Sequence, residues 1–416
     1  MCGIAGFWGG PSVDEGIVER MAARIASRGP DDAGVWADAD AGVALAHRRL
    51  SILDLSPAGH QPMQSPCGRY VLVFNGEIYN HLDLRAELEA EAGAFDWRGH
   101  SDTETLLAAL RHWGVQGALE RVNGMFAFAL WDAAERTLFL ARDRMGEKPL
   151  YYGHGGGGCS GGAFLFGSEL KALTAHPEWR GEMDRDALAL YMRHNYVPAP
   201  WSIYRGIAKL PPAHFVVIRD GGRAVGEPQC YWNLGTVAEQ GVAQAGGEPD
   251  ALADELDGLL RDAVGRRMAA DVPLGAFLSG GYDSTTVAAL MQAQSERPVK
   301  TFSIGFHEEG YNEAKHARAV AEHLGTDHTE LYVTPEEAMA VIPKLPTIYD
   351  EPFSDSSQIP TFLVSQLARQ HVTVSLSGDG GDELFCGYNR HVWVPVWQKL
   401  WVLPGSACAA PCAMVV

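Results

Sequence analysis

Val272-Pro273-Leu274-Gly275-Ala276-Phe277-Leu278 runs straight into Ser279-Gly280-Gly281-Tyr282-Asp283-Ser284, and a helical stretch follows. An apolar run of this length reads as a buried strand. A Ser/Gly turn between strand and helix leaves backbone N–H groups pointing outward at a helix N-terminus, an arrangement that holds phosphate. No Gly-Lys dipeptide occurs in the chain, so a Walker-type loop is excluded.

A second loop of the same character, Leu376-Ser377-Gly378-Asp379-Gly380-Gly381-Asp382-Glu383, follows the strand Val372–Leu376. Around the two loops the pattern predicts helix 251–269, strand Leu274–Leu278, helix 284–294, strand Lys300–Gly305 and helices over 312–324, 335–348 and 358–370. Strands alternating with helices predict an α/β domain with a doubly wound parallel sheet. Asp283 and Asp379 stand at the C-terminal ends of two strands, where such sheets bind ligands.

Upstream, Thr236–Asp250 lacks apolar periodicity and reads as a linker. The half before it is α+β. Val43–Leu55 and Tyr70–Phe74 are buried-strand candidates, and Met125–Trp131 with Thr137–Ala141, and Leu150–Tyr152 with Ala163–Gly167, read as hairpin pairs. Leu82–Ala92 and Asp102–Trp113 read as helices. The second opens on Ser101 with Glu104 three residues on, a capping box.

At 416 residues the chain is too long for one ordinary domain, and 46% apolar with 20% charged residues excludes a disordered chain. The net charge of −19 excludes nucleic acid as the main partner. No run of about 18 apolar residues occurs, and the apolar start lacks a basic flank, so neither a membrane span nor a signal peptide is expected and a cytoplasmic setting is. Seven scattered cysteines without a C-x-x-C give no zinc framework. Histidines 47, 60, 100 and 307 show no ligand spacing, and no His-Glu-x-x-His occurs. Gly158-Cys159-Ser160-Gly161-Gly162 matches a nucleophile elbow in form, but it lies in a glycine run between two strands and not at a strand-to-helix turn.

Cys2 becomes the first residue once the initiator Met is removed. Its thiol then sits beside an α-amine of pKa about 7.7–8.0, which can take the thiol proton and return it to a leaving amine. Four further strings follow: Ser27-Arg28-Gly29-Pro30-Asp31, His47-Arg48-Arg49-Leu50-Ser51-Ile52-Leu53-Asp54, Asn75-Gly76-Glu77-Ile78-Tyr79-Asn80, and Ser101-Asp102-Thr103-Glu104.

With Cys2-Gly3-Ile4-Ala5-Gly6, these strings resemble a class II glutamine amidotransferase domain, which implies the αββα sandwich of N-terminal-nucleophile hydrolases. The Ser-Gly-Gly-x-Asp-Ser loop resembles that of ATP pyrophosphatases. Together, from Cys2 to about Arg390, the chain resembles the glutamine-hydrolysing asparagine synthetase B family. Asp350-Glu351-Pro352-Phe353 and Asp355-Ser356-Ser357 fit it too.

The resemblance implies Cys2 as nucleophile, with the Asn75 side chain and the Gly76 N–H as oxyanion donors. Glutamine is then held by Arg49, Ile52, Leu53, Asn75, Gly76, Glu77 and Asp102. Arg49 offers a fork for its carboxylate and Asp102 a charge for its ammonium. Glycine at 76 is expected to let backbone approach the substrate. ATP is assigned to Phe277, Ser279, Gly280, Gly281, Asp283, Ser284, Ile304, Ser377, Gly378 and Asp379, with Mg²⁺ on Asp283 and Asp379. Phe277 and Ile304 can equally be core. The implied domains are 1–218 for glutamine, 219–250 as connection and 251–416 for the ATP-dependent step. The implied partners are small molecules, with a homodimer left open.

Two positions depart from the family pattern. Asp379 stands where some members have Glu, which leaves the acceptor open between aspartate and another carboxylate such as a sugar uronic acid. Cys386 stands where relatives usually have Gly, a strained position if φ is positive there. Family members continue beyond the second loop with a mostly helical region, so a missing helical end is expected here. A homologue with glutaminase activity only, or a binding role, is the remaining alternative.

Overall fold

The computed structural model describes residues 1–10, 14–156, 162–307 and 312–394. The central residues of the Gly158–Gly162 string, Cys159 and Ser160, and the tail 405–416 lie outside them. The chain forms two compact units: Met1–Pro273 with Pro335–Phe362, and Leu274–Thr334 with the described residues from Leu363.

The first unit contains two antiparallel sheets. One runs, in spatial order, Ile207–Lys209, Tyr151–His154, Phe164–Gly167, Gly3–Trp8, Val43–Arg49, Asp32–Asp38. The other runs Ala224–Val225, His214–Arg219, Thr137–Arg142, Gly124–Asp132, Tyr70–Ile78, Met63–Gln64, with Gln229–Cys230 paired to His214–Arg219. Alternation along the central strands explains the layering. Ile4 and Trp8 meet Val71, Val73, Ala127 and Trp131 in one cluster, whereas Ala5 and Phe7 pack on Ile17, Val18 and Met21 of helix Glu15–Ala23. Leu72 and Phe74 likewise turn to Leu84, Leu88, Leu106 and Leu110 of helices His81–Ala92 and Asp102–Arg121. Strands buried on both faces carry continuous apolar runs, and the result is the expected αββα sandwich.

Both expected hairpins form. The helix from Asp102 runs on to Arg121 across a break at Gly114, whose φ of 72° suits a residue without Cβ. Only half of the capping box is made. Ser101 accepts the Glu104 N–H at 3.3 Å, but the Glu104 carboxylate turns to the N–H groups of Arg98 and Gly99. The expected linker is partly helical: Leu234–Gln244 forms a helix without a buried residue, started by Asn233 accepting from Thr236 N–H. Strand Val43–Arg49 stops well short of Leu55.

The second unit holds four parallel strands in the order Asp327–Val333, Lys300–Phe306, Leu274–Phe277, Val374–Leu376. Leu278 packs with Ala288, Ala317 and Ala321 of helices Tyr282–Ala293 and Ala314–Leu324, while Phe302 packs with Leu367, Ala368 and Val372. Helices therefore cover both faces, as doubly wound sheets require. Strand Asp327–Val333 was not expected. The helix expected over 335–348 is broken into Pro335–Met339, a 3₁₀ turn Ile342–Lys344 and Leu345–Ile348, since Pro343 and Pro346 cannot continue an i→i−4 ladder. Among the described residues no helix is long and apolar enough to cross a membrane.

Candidate active site

Cys2 precedes strand Gly3–Trp8, and its thiol lies against Leu50, whose N–H it accepts at 3.4 Å. Arg28 Nε donates to the Cys2 carbonyl at 2.8 Å, which fixes the main chain of this cysteine. Burial pushes the Cys2 thiol up, with the Leu50 N–H and the nearby N-terminal amine opposing. Burial lowers that amine, here on Met1, to about 6.

Cys2 opens onto a pocket of about 540 Å³, counted out to its mouth, lined by Arg49, Ile52, Leu53, Asn75, Gly76, Glu77 and Asp102 among others. Every residue that the sequence singled out for glutamine is therefore at one place. Asn75 and Gly76 are not a hairpin turn. They sit mid-strand in Tyr70–Ile78, opposite Ala127 and Phe126. Both polar atoms of the Asn75 side chain are buried without a partner. Such a group costs stability unless something binds it. Glycine at 76 is required by the neighbouring strand: a Cβ there would lie 2.2 Å from the Met125 carbonyl oxygen.

Arg49 ends strand Val43–Arg49 and turns its guanidinium to the carbonyls of Ser56 at 3.2 Å, Leu53 at 3.4 Å, and Asp54. It thus shapes the 52–59 loop, and Gly59 leaves the space its Nη2 occupies. Behind the site His47 Nε2 donates to the Phe74 carbonyl at 3.0 Å, and burial pulls this histidine down to about 3, so it stays neutral.

Asp102, first in its helix, accepts the Ile78 N–H at 2.8 Å, and burial raises its carboxyl. Burial, then the charge of Asp102, raises Glu77 to about 7. The charge that burial disfavours on these two carboxyls would be relieved by a cation placed beside them. Lys148, Gln61 and Thr103 also line the pocket and were missed. Lys148 is set there by a turn around Asp143, whose carboxylate accepts the N–H groups of Phe126, Met145, Glu147 and Lys148. The string Asp143-Arg144-Met145-Gly146-Glu147-Lys148-Pro149 after a strand was the available signal.

In the second unit Ser279 through Ser284 join strand Leu274–Phe277 to helix Tyr282–Ala293. Ser279 and Ser284 bond through their hydroxyls at 2.9 Å. Gly280 has φ +81°, and a Cβ there would lie 2.7 Å from His316 Cβ. The second loop closes on the first: a Cβ on Gly381 would lie 2.5 Å from Asp283 Oδ2, and one on Gly378 would lie 2.7 Å from Ser284 N. Asp379 accepts the Ser377 hydroxyl at 3.0 Å. Phe277 and Ile304 are half-buried, and Phe277 packs on the Phe302 cluster. Among the described residues no group of three or more potential ligands could by itself hold a metal. A pair of carboxylates beside a glycine cradle fits Mg²⁺ carried on phosphates, which needs only one or two. Cys386 does adopt φ +60°.

Asp350 and Glu351 pack within the first unit. Asp350 accepts the Lys171 N–H at 2.7 Å and pairs with its ammonium at 3.1 Å. Glu351 pairs with Lys209 at 2.5 Å and accepts the Ile203 N–H at 2.7 Å.

The sequence matches the glutamine amidotransferase domain over residues 1–232 and asparagine synthase over 255–411. It is 40% identical over 408 residues to a putative glutamine-hydrolysing asparagine synthetase of Mycobacterium tuberculosis, covering 93% of this chain and 60% of that one. It is 36% identical to asparagine synthetase 1 of Bacillus subtilis (94% and 59% covered). It is 37% identical to a putative asparagine synthetase 2 of Methanocaldococcus jannaschii (94% and 76%). The chain spans about 60% of the length of the first two. The chain therefore belongs to the family of glutamine-hydrolysing asparagine synthetases.

Proposed function

We propose that the chain hydrolyses glutamine at Cys2 and uses the ammonia to amidate a carboxylate activated by ATP, with aspartate as acceptor and asparagine as product. The observation that carries this reading is the unpartnered, buried Asn75 amide in the Cys2 pocket. The Cys2 sulfur adds to the glutamine amide carbon as the α-amine, freed by removal of Met1, takes the thiol proton. The oxyanion lies between Asn75 and the Gly76 N–H, each donor contributing about 3 kcal/mol. Collapse passes the proton to the leaving nitrogen and releases ammonia, and water then cleaves the thioester to glutamate. Arg49 orients the substrate carboxylate, and Asp102 with Glu77 its ammonium.

The loops Ser279–Ser284 and Ser377–Asp379 bind ATP, and the acceptor carboxylate attacks its α-phosphorus, releasing pyrophosphate. Ammonia displaces AMP from the acyl-adenylate. Mg²⁺ held by Asp283 and Asp379 would neutralise phosphate charge. The proposed setting is the cytoplasm. A sugar uronic acid is the second acceptor, favoured by the short carboxylate at Asp379.

The test is incubation with glutamine, ATP, Mg²⁺ and aspartate, following glutamate, AMP and asparagine by mass spectrometry. All three should rise together. Glutamate and AMP without asparagine in the presence of a uronic acid, with its amide appearing, would move the reading to the second acceptor. Cys2→Ala should abolish glutamine use and spare added ammonia.

A further inference from the structure

Asp271 grips the loop that lines the Cys2 pocket at two points. Its N–H donates to the Ile52 carbonyl at 2.9 Å, and its Oδ2 accepts the Asp54 N–H at 2.8 Å. The same Oδ2 accepts His100 Nε2 at 2.7 Å, and His100 N–H donates in turn to Asp54 Oδ2 at 2.9 Å. The closed set Asp271–Asp54–His100 therefore backs the loop from outside, while Arg49 holds the Leu53, Asp54 and Ser56 carbonyls from the pocket side.

The loop needs such backing. Asp54 has φ +57°, a region L-residues other than Asn and Asp seldom adopt. Its buried carboxylate folds the loop on itself through the Ser56 N–H at 3.1 Å and the Ser56 hydroxyl at 2.5 Å. Ile52 and Leu53, the two loop residues nearest these contacts, both line the pocket.

Asp271 also stands three residues before Leu274, where the strand ending in the Ser279–Ser284 loop begins. Only Val272 and Pro273 intervene. The three residue steps from Asp271 to Leu274 span at most about 11 Å when extended, and proline fixes its own φ. A shift of that strand has little slack in which to dissipate before it reaches Asp271.

We propose that Asp271 is a positioning residue that holds the 52–56 loop in its substrate-binding shape and ties that loop to the chain entering the nucleotide strand. The tie matters only if the Cys2 pocket takes glutamine and the Ser279–Ser284 loop takes ATP, as proposed above. Of the two grips on the loop, the one on Ile52 is made by the main chain and persists in any substitution, and the one on Asp54 depends on the carboxylate.

The test uses the full chain as wild type, Asp271→Ala, Asp271→Asn and, as a control on an exposed helix, Asp262→Ala. Glutaminase kcat and KM are measured with and without ATP and Mg²⁺, and hydrogen exchange of the 52–56 amides is followed by mass spectrometry. Asp271→Ala should raise the glutamine KM about three- to tenfold, the span of one ordinary hydrogen bond, with kcat within about twofold. The 52–56 amides should exchange faster while those of Tyr70–Ile78 do not. Asp271→Asn, which can still accept from Asp54, should recover most of the KM. ATP should alter the wild-type KM and leave that of Asp271→Ala unchanged.

An unchanged KM in Asp271→Ala, or an ATP effect equal in both or absent in wild type, overturns the proposal. If wild type hydrolyses no glutamine, the reading of the pocket fails and exchange alone decides the clamp. Faster exchange at 52–56 in Asp271→Ala then keeps it, and unchanged exchange removes it.

Discussion

Arg28 Nε donates to the carbonyl of Cys2 at 2.8 Å, while its Nη1 pairs with Glu169 at 2.7 Å. Glu169 continues to Lys171 at 2.8 Å, and Lys171 to Asp350 at 3.1 Å. The main chain of Cys2, the proposed nucleophile, is thus anchored by a well-buried ionic row. Arg28→Lys keeps a charge but cannot present two donors in a planar fork. Glutaminase kcat should fall about tenfold, the scale of one charge-assisted hydrogen bond, with KM little changed, as steady-state kinetics would report.

Asn75 separates activity from stability. Because neither polar atom of its side chain has a partner, Asn75→Ala removes no hydrogen bond from the resting protein. We expect kcat to fall about 10²–10³-fold, as for loss of an oxyanion donor. The urea midpoint should stay the same or rise.

Glu77 makes stability depend on pH. Burial, then Asp102, raises its carboxyl to about 7 from an ordinary 4.5. The folded state therefore holds the proton more tightly than the unfolded chain. Its contribution is fully present below about 4.5 and is lost as pH rises through about 7. Glu77→Gln should flatten that part of the stability curve. Urea titrations of both proteins at pH 5 and pH 8 check this, with the variant relatively more stable at pH 8.

Glu351 is an ion buried in the first unit. Tyr151 donates its hydroxyl to Glu351 at 3.2 Å, beside the Lys209 and Ile203 contacts. Glu351→Ala leaves Lys209 without its counter-charge, which typically costs about 3–5 kcal/mol. Denaturation followed by tryptophan fluorescence should show the loss, and Glu351→Gln should lose less.

Gly381 has no room for a methyl group, since Asp283 Oδ2 lies 2.5 Å from where its Cβ would be. Gly381→Ala should abolish ATP–pyrophosphate exchange while leaving glutaminase turnover within about twofold. Equal loss of both would place the damage in folding.

Much of this arrangement could be read along the chain because the central strands of the sandwich, such as Gly3–Trp8 and Gly124–Asp132, carry long buried apolar runs, and because short strings carry the pocket residues. The edge strand Asp327–Val333 escaped because its polar residues are satisfied by neighbours. His328 bonds Thr301 at 2.9 Å and Ser303 at 3.2 Å, and Glu330 pairs with Arg318. Lys148 escaped because its turn is set by a carboxylate five residues earlier, Asp143, and not by apolar periodicity. The packing of 335–362 with the first unit rests on ion pairs that only folding brings together, Asp350 with Lys171 and Glu351 with Lys209. Glycine at 76 was noticed for its place beside the substrate, whereas the crowding by the Met125 carbonyl across the strand pair came from folding alone.

Cys2 stands at the head of a strand of one sheet and Asn75 lies mid-strand in the other, and Ile4, Val71, Val73 and Ala127 pack together where the two sheets meet. The distance between these two residues is consequently machined by the interior, like the setting of a caliper whose jaws are the two sheets, and under the proposed function the reacting carbon must fit that gap. Methylene groups that never touch substrate then become part of the rate. Trimming Ile4 or Val73 would mistune the chemistry while the molecule still folds.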